Sequence, residues 1–82
     1  MSLELNEYVA LTRDLPEHRL RKGDVGILID RVPHPGGGEE GCVVEVFNAV
    51  GDSIAVVAMP LSCVEPLTAE EVLSVRSLLP VE

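Results

Sequence analysis

Apolar residues fall along this chain in five short runs separated by turn signals, and alternation within the runs predicts strands. Tyr8-Val9-Ala10-Leu11-Thr12 reads as the first strand, with Val9 and Leu11 on the core side. A helix over residues 3–15 is the rival reading, because Leu and Glu there are good helix formers. Pro16 removes a ladder donor and biases Leu15 away from helix, so residues 14–20 form an irregular connection. Lys22-Gly23-Asp24-Val25-Gly26 then runs straight into Ile27-Leu28-Ile29. Its two glycines supply a tight turn and let a neighbouring strand approach closely. The second strand spans about 25–32. Strands three and four follow at Cys42–Phe47 and Ile54–Met59, joined by a hairpin turn at Gly51-Asp52. A short fifth strand closes the set near 63–66.

Strands three and four are apolar at nearly every position, which one small core cannot absorb. A partner, the C-terminal element or a second copy is expected to cover the surplus. The C-terminal element carries its own signature. Thr68-Ala69-Glu70-Glu71 is a capping box, Leu67 and Val72 stand where a hydrophobic staple would, and Val72, Val75, Leu78 and Leu79 form a stripe at helical spacing. These predict a helix at about 69–78, within a C-terminal segment of 68–79 that Pro80 ends. The fold class is therefore mainly β, a single domain over 1–82. A strongly bent antiparallel barrel of five strands occupies 5–67, with strands near 8–14, 25–32, 42–48, 54–59 and 63–66, and a C-terminal α-helix follows.

Composition narrows the function more than it names one. The 82 residues leave no room for a second core or a deep substrate cavity. Tyr8 and Phe47 are the only aromatics, too few to stack single-stranded bases. The net charge of −8 argues against a polyanionic partner, so nucleic-acid binding is disfavoured. From Val32 onward Arg76 alone faces eight acids, and five of the six bases lie in the first 31 positions. That acidity reads as a solvated surface or as a docking face for a basic protein, with Glu39, Glu40, Glu45 and Asp52 the candidate partner-binding residues. No run approaches the ~20 apolar residues of a bilayer span, and the N-terminus lacks a signal-peptide pattern. A cytoplasmic location without membrane contact is the expectation. Cys42 and Cys63 read as reduced, buried hydrophobes.

Catalytic and metal chemistry finds little footing. His18, His34, Cys42 and Cys63 show no ligand spacing. Ser53 or Cys63 with His18 is a combination any chain of this size offers. Residues 33–41 read as a flexible hairpin tip rich in Gly and Pro, expected not to fix Glu39 and Glu40 in any geometry. A phosphate loop would end in Gly-Lys-Ser/Thr, whereas this run closes on two glutamates. No enzyme activity, no cofactor and no metal are expected. Arg19, Arg21 and Lys22 form the one basic cluster, read chiefly as a loop balanced by Asp14, Glu17 and Asp24.

The order of motifs resembles a known family. Val9-Ala10-Leu11-Thr12-Arg13-Asp14-Leu15-Pro16-Glu17, Leu20-Arg21-Lys22-Gly23-Asp24-Val25-Gly26, Val44-Glu45-Val46, Gly51-Asp52 and Ile54-Ala55-Val56-Val57 are similar to small bacterial proteins catalogued as domain of unknown function 4926. The Leu-Pro-Glu to Lys-Gly-Asp-x-Gly spacing is the most specific part, and the resemblance covers about 5–67. The tip at 33–41 is longer than the pattern, and Val46 stands where an aromatic is usual. The resemblance implies an SH3-like small barrel with no catalytic residues. It also makes natural a non-enzymatic interaction module, an antitoxin or immunity-like binder of a basic partner. The alternatives are a structural accessory subunit of a larger enzyme complex and, ranked third, a weak RNA-binding barrel. A homodimer is among the partners considered.

Overall fold

A computed structural model describes residues 3–33 and 37–77. Five antiparallel strands form one sheet: β1 (Tyr8–Leu11), β2 (Val25–Val32), β3 (Gly41–Phe47), β4 (Ser53–Pro60) and β5 (Val64–Pro66). Their order across the sheet is β4-β3-β2-β1-β5. Single 3-10 turns at Pro16–His18 and Leu61–Cys63 fill two of the connections.

Alternation decides which face is buried. Cys42, Val44 and Val46 of β3 point into the core, while Val43 and Glu45 lie half-buried on the other face. β4 contributes Val57 and Met59 and β5 contributes Val64, all to one cluster with Val9, Leu11, Leu20 and Leu28. β4 and β5 are the two ends of the sheet, so a shared core means the sheet curls strongly over its buried face. The turn at Leu61–Cys63 makes that curl short, carrying the chain from one edge to the other in three residues. Thr12 secures the corner: its amide donates to the Cys63 carbonyl at 2.8 Å and its hydroxyl to the Ser62 carbonyl at 2.7 Å.

The glycine turn is built as the sequence demands. Gly23 adopts φ +92°, a left-handed conformation that strains any side chain, and its amide donates to the Leu11 carbonyl at 2.8 Å. Gly26 is buried opposite Val9 and close against β3. Cys42 and Cys63 are free and buried in the core, and burial first, then the neighbouring Cys63, pushes the Cys42 thiol up.

The sheet is not closed by hydrogen bonds, and β4 and β5 remain its edges. Three expectations are corrected. The first strand stops at Leu11 rather than 14, because Thr12 turns to the Ser62–Cys63 backbone, and Cys63 belongs to the 3-10 turn rather than to β5. Most importantly, no C-terminal helix forms among the described residues. The capping contact is present, with the Thr68 amide donating to Glu71 Oε1 at 2.7 Å, but it closes a single turn. A helix this short needs an apolar surface to lie on, and Val72 and Val75 are 91% and 98% exposed. Leu78, Leu79 and Pro80 of the expected segment lie outside the described residues, as do His34, Pro35 and Gly36 of the tip.

Candidate protein-docking face

The outer face of the sheet follows from strand register. Tyr8 stands opposite Ile27, Ile27 opposite Glu45, and Glu45 opposite Val56. These four therefore form one row across β1, β2, β3 and β4, on the side away from the core. Tyr8 is 61% and Val56 58% exposed, with Phe47 and Ile54 exposed beside them. Glu45 sits in the middle of this apolar row, half-buried, with no ion-pair partner among the described residues. A carboxylate framed by exposed aliphatic and aromatic groups suits a partner that presents one basic group within an apolar patch.

Asp52 lies at the tip of the β3–β4 hairpin. The tip is organised by Asn48, whose Oδ1 accepts the amides of Val50 (3.1 Å) and Asp52 (2.9 Å). Gly51 at φ +90° completes the turn. The Asp52 carboxylate is thus held at the surface by its backbone and left open to solvent.

Glu39 and Glu40 sit elsewhere and are fixed, contrary to the expected loose tip. Glu40 holds Arg31 with two parallel contacts of 2.8 and 2.9 Å, and Arg31 also donates to the Leu3 carbonyl. Glu39 Oε2 accepts the Ser62 amide at 2.6 Å. Ser62 holds the Glu39 carboxyl below its usual range, through its side-chain and backbone hydrogen bonds in that order, and the Arg31 guanidinium does the same for Glu40. The C-terminal side of the glycine-rich tip is thereby tied to the β4–β5 corner through Glu39 and to β2 through Glu40. Of the four acids, the structure brings only Glu45 and Asp52 to one hairpin.

A second feature adjoins the outer face. Residues 73–76 run past Leu20, Val25, Phe47 and Ile54, and together they line a cleft of about 400 Å³. Arg76 Nε donates to Asp24 Oδ1 at 2.9 Å, Arg76 Nη2 reaches Asp24 Oδ2, and Nη2 also donates to the Arg19 carbonyl at 2.9 Å. Asp24 Oδ2 further accepts the Arg21 amide at 2.7 Å. Partial burial pushes the Asp24 carboxyl up, but the Arg76 contact, the Arg21 amide and both arginine charges together outweigh it and hold the carboxyl below its ordinary value. Asp24 is thus shared between the basic loop and Arg76, while Asp14 accepts the Lys22 backbone amide at 2.8 Å and keeps its charge beside the loop.

Sequence alone marks none of Asp24, Arg76, Tyr8, Ile27 and Val56 as partner-binding. Arg76 did carry a signal, as the one base after Val32, and a lone cation in an acidic stretch has an acid to find.

Among the described residues no group of three or more His, Cys, Asp or Glu could hold a metal ion, and no helix is long and apolar enough to cross a membrane. A family model described as a domain of unknown function (DUF4926) matches residues 5–66, a span that takes in all five strands and stops before the Thr68 turn. No curated protein and no solved structure matches the chain.

Proposed function

We propose that this chain, which belongs to the DUF4926 family, is a non-enzymatic protein-interaction module that docks a basic protein through the outer face of its sheet. The row Tyr8–Ile27–Glu45–Val56 is the observation that carries the reading. Its apolar members supply area to bury, at roughly 25 cal/mol per Å², and Glu45 supplies a single point of charge selection. The acidic surround, with Asp52 at the hairpin tip, steers a cationic partner toward that face. An antitoxin or immunity-like role fits this design, since masking a basic toxin or nuclease surface calls for fast capture.

The fold is read as an SH3-like small barrel. Support comes from the β4-β3-β2-β1-β5 order, the three-residue turn that joins the edge strands, and the core they share.

The test is affinity capture on the immobilised chain from its native host, beside Glu45→Gln and Val56→Ser variants. A basic protein retained by the wild type and lost from the variants supports the reading. Stoichiometric recovery of enzyme subunits, indifferent to Glu45, would instead favour an accessory subunit.

A second reading concerns self-association. β4 is an edge strand, and Ser53–Pro60 contains no charged residue. Uncharged edges of that length template pairing with another strand, and two copies of β4 would meet without like-charge contact along the strand.

A further inference from the structure

The segment from Glu71 to Ser77 has no regular secondary structure, and two of its three apolar side chains, Val72 and Val75, are almost fully exposed. Apolar burial therefore does little to hold it down. Arg76 fastens it, seated on both carboxylate oxygens of Asp24 and on the Arg19 carbonyl, with Leu73 lining the cleft alongside.

We propose that the cleft at Asp24 is a receptor for an arginine within an extended segment of the protein partner, and that residues 72–77 are its resident stand-in, displaced on docking. The inference rests on the reading above that the partner is a basic protein. Asp24 is positioned before any arginine arrives, because the Arg21 amide holds Oδ2 and the Gly23 turn fixes the backbone. Two carboxylate oxygens and one carbonyl match the planar fork of a guanidinium, whereas an ammonium would meet them as a point charge. The cleft continues into the outer face through Phe47 and Ile54. A partner lying on that face can thus reach Asp24 without crossing a charged barrier. Exchange of one arginine for another leaves the part-buried carboxylate paired throughout, so displacement avoids the cost of a bare charge.

The experiment uses a fluorescently labelled synthetic peptide copying residues 72–77, titrated by anisotropy against the full chain and its Arg76→Ala variant. A resident segment closed most of the time taxes any competitor by the fraction of open cleft. The variant should therefore bind the peptide about tenfold tighter or more than the wild type does. Replacing the peptide's arginine by lysine should weaken binding several-fold, and glutamine should abolish it. These peptide changes leave the protein untouched, so they stand even if the Arg76→Ala variant fails to fold. Equal affinity for both proteins, or indifference to the peptide's arginine, overturns the proposal. So does a wild-type dimer that Arg76→Ala dissolves, since the cleft would then belong to the segment of a second copy. Glu45→Gln should leave peptide binding unchanged, so a failure of the cleft and a failure of the outer-face reading give different results.

Discussion

Gly26 lies so close against Val44 that a Cβ on Gly26 would stand 2.5 Å from Val44 Cγ1 and 2.8 Å from the Glu45 carbonyl oxygen. The side-chain contact could shift, but the carbonyl belongs to the β2–β3 ladder and cannot move without breaking register. Gly26→Ala should therefore cost about 1–3 kcal/mol in urea unfolding, the range of an overpacked core site. Gly41 is the control, since its nearest neighbour to a Cβ is the Met59 carbonyl at 3.6 Å, an ordinary contact. Gly41→Ala should be close to neutral.

Acid should release the C-terminal segment. The Asp24 carboxyl is held below its ordinary value of 3.8, so the stabilisation it brings is fully present above that value and disappears as pH falls through the lower, folded-state value. The Arg76 Nε–H resonance followed by NMR should stay constant at neutral and mildly acidic pH and move toward its free position only below pH 3.8. Glu39 and Glu40 titrate low as well, so the Arg76 resonance, which reports its own contact with Asp24, is more informative than global stability.

On the outer face, charge and apolar area should separate kinetically. Glu45→Gln should slow partner association several-fold at low salt and little at high salt, because salt screens charge over about 8–10 Å, and it should also speed dissociation, because Glu45 is central to the face and loses its pairing there. Val56→Ser should speed dissociation alone. Glu39→Gln with Glu40→Gln removes two negative charges but also frees Arg31 and Ser62, which those carboxylates now hold. This pair should slow association too, with an added loss of thermal stability that Glu45→Gln lacks. Stopped-flow mixing over a salt series, with melts of each variant, checks all three. Association flat with salt in every variant would assign the acidity to solubility alone.

If β4 pairs with a second β4, light scattering at tens of micromolar should show a dimer. Val56→Lys should dissolve it, by placing like charges beside one another at the centre of the pairing. A stable monomer for the wild type would leave β4 free for a different strand.

The strands were legible because each run answered a local rule. β3 buries Cys42, Val44 and Val46 in strict alternation, and Gly23 sits in the left-handed region its turn requires. β4 was legible as a strand yet not as an edge, since edge position depends on strand order, which no local pattern contains. The helix at 69–78 failed for a related reason. Thr68 and Glu71 make their capping contact as the motif predicts, but a cap cannot propagate a helix that has nothing to pack on. Glu45 was visible as a candidate only for its charge; its apolar frame of Tyr8, Ile27 and Val56 comes from three different strands. Glu39 and Glu40 looked free because Ser62 and Arg31 are brought to them by the fold. The pairing of Asp24 with Arg76 spans 52 positions, beyond the reach of any motif.

The corner where Thr12 Oγ1 meets the Ser62 carbonyl joins residues 50 positions apart, and it lies beside the pairing of β1 with β5. A chain made from its N-terminus offers β1 its neighbour β2 early, while β5 is still unmade. The β2–β3–β4 meander can assemble as it emerges, but Val9 and Leu11 stay open along one flank until Val64–Pro66 has left the ribosome. Nascent chains halted before residue 64 should therefore be sensitive to protease and prone to chaperone capture, and those released beyond residue 66 should not. The first strand to be synthesised is the last to gain both its neighbours.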